Sequence, residues 1–83
     1  MKYKKYDVIT LNDNKKLVVL ETLEYNGNMY LYVDEVTDDE SNTLGNYQIF
    51  RVGEGNIVQK ETNPDVLISI LPIFSQNIKL NNE

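Results

Sequence analysis

The residues in this 83-residue chain that could do chemistry are mainly carboxylates and tyrosines. Histidine and cysteine are absent. That excludes imidazole acid–base catalysis, a Ser-His-Asp triad, thiolate nucleophiles and the usual zinc ligand sets. Among the thirteen acids, Asp38 and Glu40 alternate with Asn42 in a way that suits oxygen ligation of calcium. The helix–loop–helix calcium pattern then requires Gly at its sixth position and Glu at its twelfth, where this chain has Thr43 and Ile49. Only an irregular, weak site is left open there. Glu21 and Asp34 are a formal pair for general acid–base work, but nothing in their spacing places them in one pocket. A chain of this length also struggles to enclose a water-excluding pocket of about 300 Å³. Gly53-x-Gly55 is followed by no Gly-Lys-Ser/Thr and leads into a strand, so it reads as a turn and not a phosphate loop. No catalytic residue, metal site or cofactor motif emerges, and the chain reads as non-enzymatic.

Six tyrosines remain. Tyr25, Tyr30 and Tyr32 fall on one face of a predicted hairpin. A base-stacking platform interleaves aromatics with basic residues, but the charges near these tyrosines are acidic and the formal net charge is −5. Direct nucleic-acid binding is therefore disfavoured. Packing beneath a helix and a protein–protein surface both stay open, because tyrosine suits half-buried interfaces. The run Asp34, Glu35, Asp38, Asp39 and Glu40 contains no base. Its simplest reading is solvated surface. Its sharper reading is an acidic inhibitor, a phage-encoded nucleic-acid mimic presenting carboxylates where phosphates would lie and blocking a nucleic-acid-binding protein.

The elements that must position these groups follow from short apolar runs separated by turn residues, the pattern of an antiparallel sheet. The runs are Tyr6 to Leu11, Leu17 to Tyr25, Met29 to Val36, Tyr47 to Val52 and Ile57 to Glu61. Asn26-Gly27 between the second and third is a strong hairpin signal, because a type I′ turn needs positive φ at both central positions. A two-residue turn places Glu24 opposite Met29, Leu23 opposite Tyr30, Thr22 opposite Leu31 and Leu20 opposite Val33. One face then carries Val18, Leu20, Met29, Leu31 and Val33. The other carries Leu17, Val19, Leu23, Tyr25, Tyr30 and Tyr32. With both faces apolar, two coverings are needed: a curled sheet for the aliphatic face, and a helix or partner for the aromatic face. Residues 37–46 read as a mobile loop.

After Glu61 the period changes. Asn63 suits an N-cap, Pro64 the first helical position, and Asp65 complements the helix dipole. Leu67, Leu71, Phe74 and Ile78 form one helical stripe, with Pro72 expected to kink or break it. The fold class is α+β: a curled antiparallel sheet of about five strands, SH3-like or half-barrel, with one C-terminal helix in a single domain. The expected core is Val8, Leu20, Leu31, Val33, Phe50, Leu67, Leu71 and Phe74. Residues 66–74 are apolar at eight of nine positions counting Pro72, and such a helix needs a second covering. Val66, Ile70 and Ile73 are therefore expected to contact another protein or a second copy of the chain.

The segments Ile9 to Asn14, Val19-Leu20-Glu21-Thr22-Leu23-Glu24-Tyr25-Asn26-Gly27-Asn28-Met29-Tyr30-Leu31 and Ile49-Phe50-Arg51-Val52 resemble the YrzB-like family of short bacterial proteins. In that family a similar hairpin precedes an acidic loop, a strand and a C-terminal helix. The chain departs from it at Asn28, where Lys is common, and in an apolar helix where the family's is acidic. The resemblance implies the fold and a bacterial origin, and no activity. Seven Lys against one Arg, with eleven Asn, fit AT-rich coding in a low-GC bacterium or its phage. The basic start is followed by an apolar run too short for a secretory segment, and the longest run, Val66 to Phe74, is too short to span a membrane. A cytoplasmic location without membrane contact is expected.

Overall fold

The computed structural model describes residues 3–81, with side chains as far as Ile78. One antiparallel sheet contains β1 (Val8–Thr10), β2 (Lys16–Tyr25), β3 (Asn28–Val36), β4 (Thr43–Val52) and β5 (Val58–Lys60), in that spatial order. A single 3₁₀ turn, Glu54–Asn56, joins β4 to β5, and α1 (Pro64–Asn81) follows. The sheet curls into a half-barrel, so the α+β expectation holds. No helix among the described residues is long and apolar enough to cross a membrane.

The hairpin turn is built as its residues require. Asn26 and Gly27 have φ of 52° and 80°, the two left-handed positions of a type I′ turn. Glu24 faces Met29, Leu23 faces Tyr30 and Thr22 faces Leu31. The expected register then fails at Leu20, where a β-bulge intervenes and Val19, not Leu20, faces Val33. Because side chains alternate with a period of two, one extra residue inverts the facing of everything beyond it. Leu17 and Val19 accordingly join Leu31, Val33 and Phe50 in an aliphatic core. Leu20 is only half-buried.

That core lies on the concave face, where the two edges of the curl approach each other. Ile9 from β1 and Val58 from β5 pack against the same cluster. Tyr3 bridges the gap, its hydroxyl donating to the Asn56 carbonyl at 2.6 Å. Within β1 it is Ile9 that points inward, so Val8 is 41 % exposed instead of buried.

The convex face is covered by α1. Tyr30 and Ile49 of the sheet pack against Ile70 and Phe74 of the helix, flanked by Leu23, Tyr25, Tyr32, Val66 and Leu67. The helix starts as expected: the Asn63 side-chain carbonyl accepts the Asp65 N–H at 3.0 Å, capping a first turn led by Pro64. It runs through Pro72 without a break in its assigned span, and the proline lies exposed. The buried stripe is rotated from the expected one. It centres on Ile70 and Phe74, leaving Leu71 43 % exposed. Between Val66 and Phe74 the i, i+4 rows 66/70/74, 67/71 and 68/72 are all apolar, so periodicity alone does not select the row that meets the sheet.

The segment expected as a mobile loop, residues 37–46, is strand from Thr43 on, and only residues 37–42 turn. The Asp34 carboxylate makes this possible. It is 2 % exposed and accepts the Asn46 N–H at 2.8 Å and the Gly45 N–H at 3.3 Å. The ladder shifts register here, between Asp34–Tyr47 and Val36–Thr43, and Gly45 has φ of 72°. A side chain thus satisfies main-chain donors that the interrupted ladder leaves over.

Candidate functional site

α1 covers the convex face incompletely. A row of rings shows where the cover ends. Phe74, 1 % exposed, lies against Tyr32 with ring centroids 5.7 Å apart and planes tilted by 30°. Tyr32 stacks in turn on Tyr47, again at 5.7 Å, with planes parallel to within 2°. Tyr47 is 57 % exposed. The row therefore runs from the core into solvent. Leu71 on the helix stands beside it, and Ile68, 72 % exposed, lies one turn earlier.

Two open hollows meet at Tyr32 and Leu71. One, of about 530 Å³, continues along the helix past Phe74, Ser75 and Ile78. The other, of about 340 Å³, lies between Asn46–Ile49 of β4, Lys60 and Glu61 after it, and Leu67 and Leu71 of the helix. Together they form a shallow groove with a sheet edge on one side and a helix on the other. The Tyr32 hydroxyl is held above its ordinary pKa, first by partial burial, then by the nearby Tyr47 and Asp34. The groove thus keeps that phenol neutral.

Beside the groove the β4 edge is open at Tyr47. The Glu61 N–H donates to the Ile49 carbonyl at 2.9 Å and the Gly53 N–H to the Ile57 carbonyl at 2.7 Å. Odd-numbered residues in this part of β4 therefore bond toward β5. The next odd residue is Tyr47, and the β5 pairing reaches only Phe50. The main-chain groups of Tyr47 thus face outward beyond the end of β5. From Thr43 to Tyr47 every residue is exposed, and residues 43–48 carry no charge.

The acidic run divides. Asp34 is buried and structural, which removes it from any surface mimic. Glu35 is half-buried and accepts the Asn46 side-chain amide at 3.0 Å. Glu40 pairs with Lys16 at 3.0 Å, whose ammonium also donates to the Asp38 carbonyl at 2.8 Å. Asp39 accepts the Thr37 and Ser41 hydroxyls, each at 2.7 Å, and the Ser41 N–H at 3.1 Å. These bonds lower its pKa to about 2. The loop is ordered by its own carboxylates, and no cluster of three or more acids with metal-binding geometry occurs among the described residues.

The tyrosines and helix residues divide too. Tyr30 is buried and Tyr25 half-buried, both packed beneath α1. Tyr32 alone of the three reaches the groove. Ile70 is fully buried against the sheet, so it does not belong to an exposed interface. Val66 packs into the same cluster, and Ile73 is half-buried. Sequence reasoning missed Tyr47, Leu71 and the open β4 edge. The exposure of the Tyr47 ring had no local signal, because it depends on where the helix cover ends, as the open edge depends on where β5 stops. Comparisons with protein families, curated proteins and solved structures find no match to this chain.

Proposed function

We propose that this protein is a non-enzymatic interaction module that binds another protein through the groove between β4 and α1. The observation that carries this reading is the aromatic row Phe74–Tyr32–Tyr47, which leaves the core and ends uncovered beside Leu71. Contiguous apolar surface rimmed by polar groups is what partner sites present. Stacked tyrosines offer contact area with little conformational freedom to lose. The lack of histidine and cysteine and the openness of both hollows support a binding role over catalysis.

The mimic reading draws less support. Asp34 is buried, Lys16 offsets Glu40, and Asp39 is wrapped by its own loop. A phosphate mimic needs carboxylates directed outward as a row.

Affinity capture from the native host tests the proposal. A partner retained by the wild-type chain should be lost with Tyr47→Ala/Leu71→Lys and kept with Ile57→Lys, an exposed site outside the groove. Equal capture by all three would refute the groove as the binding surface.

A further inference from the structure

We infer that the groove takes its partner as an added β-strand: an extended, basic segment of another protein pairs with the open edge of β4 and lays an apolar side chain against Tyr47 and Leu71. This rests on the interaction reading above and specifies the chemistry of the partner.

Three observations converge on it. First, the edge offers main chain. Beyond the end of β5 the Tyr47 N–H and carbonyl face outward, by the alternation that the Glu61–Ile49 bond sets. An unpaired edge of this kind is a template for another strand. It also lacks the charges that usually guard such edges, since residues 43–48 are uncharged. Second, the edge and the apolar hollow are adjacent. Asn46–Ile49 line the hollow whose far wall is Leu67 and Leu71. A strand laid on β4 therefore has one set of alternate side chains directed between sheet and helix. Affinity would come from the main chain and selectivity from the hollow.

Third, charge selects the occupant. The chain carries a net charge of −5, and the β4 edge leads back to the exposed Asp38, Asp39 and Glu40. Thr43 stands four residues back from Tyr47 along β4, across the bulge at Gly45. A segment with its apolar residue opposite Tyr47 brings a side chain about four residues away to this acidic turn. Lysine or arginine there is attracted, whereas glutamate is repelled. Two copies of this chain, each bringing the same acidic turn, pair less favourably than an acidic module with a basic strand.

The test uses the full chain and random octapeptides displayed on phage. Selected peptides should combine an aromatic or branched aliphatic residue with Lys or Arg about four positions away. Synthesised, the tightest binder should shift the amide resonances of residues 43–48 and 67–71. Single N-methylation along its backbone should weaken binding tenfold or more at the residue opposite Tyr47 and little at its two neighbours, because the next odd residue, Gly45, turns its N–H inward to Asp34. Asp38→Asn/Glu40→Gln should weaken it several-fold at low salt and flatten its salt dependence.

Shifts confined to the groove with no single N-methyl-sensitive residue would overturn strand addition while leaving the interaction surface standing. Shifts elsewhere, or no selected peptide, would count against both. A concentration-dependent dimer whose residues 43–48 are protected from hydrogen exchange would assign the edge to a second copy and overturn the heterologous partner.

Discussion

The two faces of the sheet are both apolar, yet they end differently. On the concave face Leu17, Val19, Leu31 and Val33 are 1 % exposed or less, and the curl brings the two sheet edges together over them. The convex face holds its rings under a single helix. Tyr30 and Phe74 are sealed, while Tyr32 is half-buried and Tyr47 lies open. A sheet can close one face on itself; its other face depends on an added element, and what that element leaves bare is available for binding. Stability and recognition are thereby placed on different residues of one small domain.

The largest test of this division is Phe74→Ala. Truncation at the sealed end of the aromatic row should cost about 3–5 kcal/mol, a large part of the roughly 4–12 kcal/mol expected for a domain of this size. Urea denaturation would read it. A loss below about 1 kcal/mol would mean the helix is not part of the cooperative fold.

Asp34→Ala should cost about 2–3 kcal/mol, because it strands the Gly45 and Asn46 N–H groups. Its effect should be local as well: amide exchange should accelerate across residues 43–47 and not across β2. Uniform acceleration would show that the carboxylate supports the whole sheet and not the edge strand specifically.

At the open end of the row the effect should be small. Tyr47→Ala should change stability by less than about 1 kcal/mol, the scale of a single exposed aromatic stack. If it cost as much as Phe74→Ala, the contrast between sealed and open ends would collapse.

The smallest expected effect is a pH dependence. Asp39 has its pKa lowered to about 2 from an ordinary 3.8. Its contribution is therefore fully present above about pH 4 and is lost as pH falls toward 2. In Asp39→Asn the acid limb of a thermal-melting profile should be shallower over that window and unchanged above it. An identical acid limb would show that the loop's bonds do not bias folding.

The parts of this fold legible in the sequence were those fixed by local chemistry. Asn26-Gly27 allows one tight hairpin, and the register holds through Thr22–Leu31. Asn63-Pro64-Asp65 specifies a helix start. Two apolar faces imply two coverings, and both are present. The failures arise where distant residues decide. The bulge at Leu20 lies in a strand apolar on both faces, where a slip produces no visible mismatch of hydrophobic pattern. Thr43–Asn46 looks like loop because its main-chain partners come from the Asp34 side chain, eleven and twelve residues away. Ile70 and Leu71 are equally apolar neighbours, and only the crossing of helix over sheet determines which is buried. The candidate site inherits all of this. Tyr32 was visible as a surface aromatic, whereas the bare Tyr47 ring follows from where the helix cover ends and the open edge from the length of β5.

Site-specific photocrosslinking in the native host tests the central claim most directly. A photoreactive phenylalanine analogue replaces Tyr47 in one strain and Tyr6, which is 72 % exposed outside the groove, in another. The account predicts a discrete adduct with another protein from position 47 and none from position 6. Adducts from position 6 with none from position 47 would contradict it.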